Sequence, residues 1–507
     1  MSTLLPINHT LQAKAMDDIL NPGFIEAPHV KAMINIGGTF DIPTGHFVEG
    51  ELGAAILNAG LAGVTGFVGL GNQYKSTMMM YQLYMAWVRI SCLYRRSTGS
   101  LYDTEINIHV SRQRVLMARA IAEVMAWGGW DEDLVDQRKL TVTDKSIYLA
   151  DDWYDIFKTW LTNKRKGAKD ILVNTPFFDL NGKLIQIPTP TFGGVDSFSE
   201  FVGSNTQKMA DANKLGNSKA NTMYMKQGQD KSRFLMEIPA LCAGAAHYIG
   251  LTAHMGQKIE MDEYNPSPKQ LQHLTNNLQI KGATGKFTYL TNNVWWCNGA
   301  KALQEEANND GPLYPSDPED RMKYDPDLNQ VTVRNLRGKS GVTGLGQTIL
   351  VSQREGLLPT LTEFHYIKGV KESDTKRWGI QGNNINYALD LLPEVKLSRT
   401  VVRTKIDNDP ILRRAMNITS ELCQISQLWD GHNDMPLQPA ELYAKVKEQG
   451  YNWDVLLNTR GWWTADNASP EHARPFLSTM DLLRMAKGEY TPFWMDKDKQ
   501  IKAEYRK

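Results

Sequence analysis

The stretch Val64-Thr65-Gly66-Phe67-Val68-Gly69-Leu70-Gly71-Asn72-Gln73-Tyr74-Lys75-Ser76-Thr77 constrains this chain more than any other. A short apolar run enters a glycine-rich turn, and a helix opens on Lys75. This is the layout of a phosphate-binding P-loop. The backbone N–H groups of such a loop point inward and cradle phosphates, and the helix that follows presents its positive end to the same anion. Lys75 would neutralise the outer phosphates, and the adjacent Ser76 hydroxyl would ligate magnesium. In the common pattern a glycine is followed by any four residues and then Gly-Lys-Ser/Thr. Gly69 fills the first position, Lys75 and Ser76 the last two, but Tyr74 replaces the second glycine. A side chain there carries a steric penalty if the position needs positive φ. A glycine-rich turn before a buried helix would have a similar sequence, so the reading depends on further nucleotide-site elements appearing downstream in order.

Several follow. Thr98 to Glu105 reads as a short strand ending in Asp103-Thr104-Glu105. Carboxyl ends of parallel strands carry the chemistry of α/β folds, so Glu105 is a candidate base for activating a water, against a plain surface carboxylate. Thr191 to Phe198 reads as a strand ending in Asp196-Ser197, and Asp196 is suited to hold the water shell of magnesium. Tyr248 to Ala253 reads as a strand ending at His254, a polar group placed to sense a phosphate, or a hydrogen-bonded histidine at a strand end.

Between these lie two polar stretches. Residues 202–232 hold Lys208, Lys214, Lys219, Lys226 and Lys231 among Asn, Gln, Ser and Gly, and read as a long loop. Residues 256–285 hold Lys258, Lys269 and Lys281, followed by Lys286. Loops of that length in a compact domain are functional or disordered.

The rest of the chain reads more simply. Residues 110–165 are helical in spacing, 169–174 a strand, 175–190 a hairpin around Asn181-Gly182, and 233–249 a helix. Phe287–Leu290, Asn293–Trp296, Val331–Ser340, Thr348–Ser352 and Leu361–Lys368 read as strands, and 304–328 as a charged insertion. The domains expected are an N-terminal arm over 1–35, a core over 36–379 and a mainly helical, aromatic-rich region over 380–507 that shows no chemistry-bearing motif.

Composition narrows the class. Lys+Arg and Asp+Glu both number 56, so the net charge is zero, which excludes a chain coated in basic charge but not a local basic groove. Cys92, Cys242, Cys297 and Cys423 show no ligand spacing and read as reduced, buried residues of a cytoplasmic protein. His432, in Asp430-Gly431-His432-Asn433-Asp434, reads as part of a solvated loop. No signal peptide is apparent. The apolar run from Met78 to Tyr94 is interrupted by Gln82 and Arg89 and is too short and polar to span a membrane.

The order of these elements resembles the RecA family of recombination ATPases, and within it the UvsX-type recombinases of tailed phages, whose P-loops also place an aromatic residue before Lys-Ser, as Tyr74 stands here. The resemblance covers about residues 36–370. It implies a RecA-like α/β core, a mainly parallel sheet flanked by helices, with ATP and Mg2+ as cofactors. It implies that Gly69, Gly71, Asn72, Tyr74, Lys75, Ser76 and Thr77 hold the nucleotide, Ser76 and Asp196 the magnesium, and that Glu105 activates the water. His254 would be the sensor linking the γ-phosphate to two DNA-binding loops, about 202–230 and 256–285, and Arg337 and Lys339 would reach the nucleotide of a neighbouring subunit. Partners implied are single- and double-stranded DNA and further copies of the chain in a helical filament, with no membrane, in the cytoplasm (of the host cell, for a phage protein). A hexameric replicative helicase of the DnaB type, and a RecA-like structural or mediator protein with a degenerate site, are the alternatives.

Overall fold

The computed structural model describes residues 32–41, 47–91, 93–94, 96–126, 139–179, 181–212, 220–258, 268–304, 311–317, 325–338, 342–370, 378–382, 386–428, 437–463, 466–470 and 474–506. Most of the N-terminal arm, Cys92, Lys214, Lys219, Lys339 and the loop around His432 lie outside them.

The centre is one sheet. Its strands are β1 (Val64–Gly69), β2 (Gly99–Asp103), β3 (Leu140–Asp144), β4 (Thr191–Asp196), β5 (His247–Gln257), β6 (Leu278–Ile280), β7 (Asn293–Ala302), β8 (Leu328–Gly338), β9 (Gly346–Ser352) and β10 (Gly356–Leu357). They lie in the order β10-β9-β8-β7-β1-β5-β4-β2-β3, with β6 paired to β5. From β7 to β3 every neighbour is parallel. The extension through β8, β9 and β10, and the β6 pairing, are antiparallel. The chain is therefore an α/β protein with a large, mostly parallel sheet. Such sheets are buried on both faces, so their strands are apolar on both.

Alternation within the strands sorts side chains onto two layers. On one face Phe67, Leu101, Phe192 and Tyr248 pack with α1 (Lys75–Ser91), whose Met79, Leu83, Tyr84 and Trp87 are all buried. On the other, Val68, Tyr102, Val195 and Leu251 meet Trp153 and Phe157 from α3 (Ala150–Lys166) and Phe234 and Ile238 from α5 (Ala220–Ala245). The first layer is closed by α2 (Val110–Ala126) through Leu116 and Met117.

A third cluster joins Leu350 of β9 and Leu361 and Phe364 of α7 (Pro359–Gly369) to Leu412 and Ile418 of α9 (Pro410–Leu428), Leu482 and Trp494. The C-terminal residues thus share buried contacts with the end of the sheet. They begin with a three-stranded antiparallel sheet over Ile380–Gly382, Asn386–Leu389 and Leu392–Ser398, then α8 (Val402–Asn408), α9 and the later helices.

Several sequence expectations are corrected here. The stretch 202–232 is not a loop where described. It holds α4 (Ser204–Ala212) and the first half of α5. Lys, Gln and Met are good helix formers, and over residues 222–232 the one buried side chain is Lys231, so no apolar periodicity marks the helix in the sequence. Leu361–Lys368 lies within α7 rather than a strand: Leu361, Phe364 and Ile367 bury one helical face, and Pro359 opens the helix. Phe287–Leu290 is a single helical turn, α6, burying Phe287. The helical reading of 110–165 hid β3, whose Leu-Thr-Val-Thr-Asp alternates as a half-buried edge strand should. Among the described residues no helix is long and apolar enough to cross a membrane. Cys242, Cys297 and Cys423 are buried and free.

Candidate functional site

The carboxyl ends of β1, β5, β4 and β2 lie side by side, and the site residues stand on them or just beyond. After β1 the chain turns through Leu70 to Tyr74. Gly69 must be glycine, because a Cβ there would lie 2.8 Å from the Cys297 carbonyl oxygen of β7. Gly71 is exposed, and a Cβ there would meet nothing within 4 Å. The left-handed positions are instead Asn72 (φ 57°) and Tyr74 (φ 60°). Asparagine tolerates this region well. Tyrosine does so at about 1–2 kcal/mol, offset by packing of its half-buried ring against the α1 layer. The Gln73 side-chain oxygen accepts from the Ala300 N–H at 2.7 Å, tying the loop to β7.

The helix α1 then starts with Lys75 buried and Ser76 and Thr77 half-buried. The Ser76 hydroxyl donates to Asp196 Oδ1 at 3.1 Å, and Thr252 of β5 donates to the same oxygen at 2.5 Å. Burial raises the Asp196 pKa, opposed by these two hydrogen bonds; Glu105 adds to the rise and the Lys75 charge works against it. A hydroxyl beside a carboxylate is a hard-oxygen donor set of the kind magnesium takes, completed by waters and phosphates. Ser76 and Asp196 fit that requirement by their direct contact. Among the described residues no group of three or more His, Cys, Asp or Glu forms an all-protein metal cage.

Glu105 stands on a turn that is pinned at both ends. Asp103 accepts backbone N–H groups from Glu105 (3.0 Å), Asn107 (2.7 Å) and Ile108 (2.7 Å). Thr104 is stapled to the end of β4: its N–H donates to the Asp196 carbonyl at 2.8 Å, and its hydroxyl both donates to the Ser197 carbonyl and accepts from the Ser197 N–H at 2.8 Å. Asp103 is thus buried and structural, while Glu105 is carried outward. Its carboxylate meets His254 Nε2 at 3.1 Å on one oxygen and Asn107 Nδ2 at 3.1 Å on the other.

His254 is fixed through its backbone. Its N–H donates to the Ser199 hydroxyl at 2.9 Å, its carbonyl accepts from Lys281 N–H at 2.8 Å, and Ser199 donates to the Lys281 carbonyl at 2.9 Å. Lys231 locks the same junction from α5, with its ammonium on the carbonyls of Ser199 (2.5 Å) and Gly282 (2.6 Å). Burial lowers the Lys231 pKa to about 8, with Glu200 opposing. Lys231 is therefore a clamp and not one of the exposed lysines of its stretch.

The remaining candidates are spread more widely. Lys208 is exposed on α4, Lys226 is half-buried on α5, Lys258 follows β5, and Lys269 and Lys281 are exposed on either side of β6. Lys286 caps α6. Near Lys226, Tyr224 and Met225 are 63% and 69% exposed, unusually open for large apolar groups. Arg337, on β8, donates to the Thr291 and Tyr289 carbonyls of its own chain at 3.2 and 3.0 Å.

The residues that sequence reasoning missed are Thr252, Asn107, Ser199 and the clamping role of Lys231. Thr252 had a usable signal, since it lies two residues before His254 and so on the same strand face. Ser199 and Lys231 act on backbone groups, which no residue pattern advertises, and Asn107 reaches Glu105 with its side-chain amide from a turn that the sequence does not mark.

The fold and site define an α/β protein with a glycine-rich loop and a row of acidic and hydroxyl groups along the carboxyl ends of its central strands. A scan of protein-family models finds no match to the chain, and a search of curated proteins finds none either.

Proposed function

We propose that this chain is a magnesium-dependent, DNA-stimulated ATPase of the RecA recombinase type, which forms a filament on single-stranded DNA and promotes homologous pairing and strand exchange. The observation that carries the reading is the convergence of Lys75, Ser76, Asp196, Glu105 and His254 at the ends of neighbouring parallel strands, with Ser76 on Asp196 and His254 on Glu105.

In this reading the loop N–H groups and Lys75 hold the phosphates of ATP, and Ser76 and Asp196 hold the ion, which neutralises phosphate charge. Glu105 takes the proton of the attacking water as its oxygen bonds to the γ-phosphorus and the bond to the β–γ bridging oxygen breaks. His254 holds Glu105 in place and, through Ser199 and the Lys281 backbone, links it to the hairpin of β5 and β6. Exposed Lys208 on α4, half-buried Lys226 on α5 and the exposed lysines of that hairpin grip DNA phosphates without reading sequence, and Tyr224 and Met225 offer faces for bases.

The test is Lys75→Ala. The variant should lose ATP turnover, and electron microscopy of the wild type with single-stranded DNA and a non-hydrolysable ATP analogue should give helical filaments that vanish without nucleotide. Wild-type turnover in the variant would refute the site, and closed rings would point to a hexameric helicase. One observation favours a second reading. Arg337 is engaged within its own chain, as suits a RecA-like structural or mediator protein with a degenerate ATP site that completes no neighbour's site; failure of the purified protein to bind nucleotide, with neither filaments nor rings, would support it.

A further inference from the structure

The helix α5 carries an open end and a buried joint a short way apart. In its amino-terminal half Tyr224 and Met225 are 63% and 69% exposed, next to Lys226. About one and a half helical turns further on, Lys231 is 3% exposed. Its ammonium donates to the carbonyls of Ser199 at 2.5 Å and Gly282 at 2.6 Å. Among the described residues no carboxylate is bonded to it, and Glu200 acts on it through charge alone. A buried cation is costly unless its donors are met, so moving either carbonyl away strands the charge. The joint is therefore stiff.

The two carbonyls belong to the two segments that hold His254. The Ser199 hydroxyl accepts from the His254 N–H at 2.9 Å and donates to the Lys281 carbonyl at 2.9 Å, and the Lys281 N–H donates to the His254 carbonyl at 2.8 Å. The packing leaves no slack between them. Gly282 has a φ of 65°, and a Cβ on it would lie 2.8 Å from Ser199 Cβ and 3.0 Å from Ser199 Cα. One residue before Lys231, Asp230 grips the same segment further along. It accepts from the Thr206 hydroxyl at 3.3 Å, and a Cβ on Gly203 would lie 2.8 Å from its Oδ2. The stretch from Ser199 to Thr206 is thus held at both ends by α5. From the open end of α5 a continuous path runs through Lys231, Ser199 and the backbone of His254 to His254 Nε2, which meets Glu105 at 3.1 Å. Packed elements joined by hydrogen bonds are what carries coupling between sites.

We propose that Lys231 is a positioning residue that relays the occupancy of the open half of α5 by single-stranded DNA to the Glu105 and His254 pair, so that DNA sets the rate of hydrolysis through this joint. This role rests on the DNA-stimulated ATPase proposed above and names the residue that carries the stimulation. Lys231 itself touches neither nucleotide nor DNA. It fixes where Ser199 stands, and through Ser199 where His254 presents its ring.

The experiment is steady-state ATP turnover by the full chain, with and without a saturating oligothymidylate single strand, alongside the affinity for the labelled strand by fluorescence anisotropy. The quantity read is the ratio of turnover with DNA to turnover without it. Lys231→Met keeps the length of the side chain and removes its donors. Its ratio should fall to about one, losing the coupling of about fivefold or more that linked sites show, while the affinity for the strand holds. Ser199→Ala removes the hydroxyl that ties the joint to His254 and should give the same loss; if one variant fails to fold, the other carries the result. Lys226→Gln should do the reverse, weakening the affinity and keeping the ratio at saturation. A clamp that served stability alone would lower turnover with and without DNA together. An unchanged ratio in Lys231→Met or Ser199→Ala, or a loss in Lys231→Met confined to DNA affinity, would therefore overturn the relay and leave the ATPase standing. Wild-type turnover that ignores DNA would overturn both.

Discussion

Asp103→Asn leaves the shape of the side chain almost intact and removes one acceptor. In the wild type Oδ2 accepts from Asn107 and Ile108, both at 2.7 Å, and Oδ1 from Glu105 at 3.0 Å. The amide oxygen of asparagine can keep the shorter pair. Its NH2 group then faces the Glu105 N–H, donor against donor, in a site where the side chain is 2% exposed. A hydrogen bond to a charged group contributes about 1.5–3 kcal/mol, and an unpaired buried donor costs about 1–3 kcal/mol. One lost bond, with weaker charge assistance in the other two, comes to about 3 kcal/mol. Urea unfolding should show that loss with an unchanged slope. The same change frees the turn that carries Glu105, and a misplacement of about 1 Å at a reacting group costs about 10²-fold. ATP turnover should fall by that order while nucleotide binding holds, because Asp103 touches no part of the phosphate loop. Turnover in Asp103→Asn/Glu105→Gln should match Glu105→Gln alone, since both act through one carboxylate. A stability change under about 0.5 kcal/mol, within the range of ordinary surface substitutions, or effects that multiply in the double variant, would refute the reasoning.

Other outcomes follow from the same geometry. Glu105→Gln should lower ATP turnover by about 10²–10⁴-fold, the range for loss of a general base, with nucleotide affinity retained in a fluorescent-analogue titration. Arg403→Met should destabilise by about 3–5 kcal/mol in chemical denaturation, because it strands Asp327, paired with Arg403 at 3.1 Å where both are 3% exposed. Burial pushes the Asp41 carboxyl up to about 7 from 3.8, against the N–H groups of Ile36 and Gly37 and the charge of Arg89. The folded state therefore holds more protons than the unfolded one between those values, and stability falls as pH rises through that window, by on the order of 4 kcal/mol at most. Asp481, raised to about 6 by burial, acts in the same direction over a narrower range. Urea midpoints between pH 4 and 8 should show the decline in wild type and a shallower one in Asp41→Asn; an equal slope in both would contradict it.

The parallel strands could be read because they are buried on both faces and end in polar residues. Val64–Gly69 and Thr191–Asp196 stop at the group that matters, whereas His247–Gln257 runs on past His254, where the sequence suggested it would end, because Met255–Gln257 pair with β6. Tyr74 was legible too, as a side chain where a positive φ is needed, and it adopts one. What stayed hidden was decided by tertiary context. The first half of α5 buries one side chain, Lys231, over residues 222–232 and so shows no apolar period, and Lys231 looks like Lys226 in composition although one is a clamp on two carbonyls and the other is not. The strand β3 is short and sits at an edge, where its alternation over Leu140–Asp144 is brief enough to pass as part of a helix.

The strand β5 has a consequence for how the chain tolerates change in length. Thr252 and His254 share one face and hold Asp196 and Glu105, while Leu251 and Ala253 turn to the core on the other. Its register is set from both sides, with His254 opposite Gly69 and Leu251 opposite Val195. A single residue inserted or deleted between Tyr248 and Leu251 would swap the two faces, sending the threonine and histidine into the apolar layer and presenting leucine and alanine to the carboxylates. Only paired insertions or deletions would keep the alternation, and those would shift the hairpin beyond by two positions against Ser199. This strand is thus closed to single-residue gain or loss, whatever substitutions it accepts.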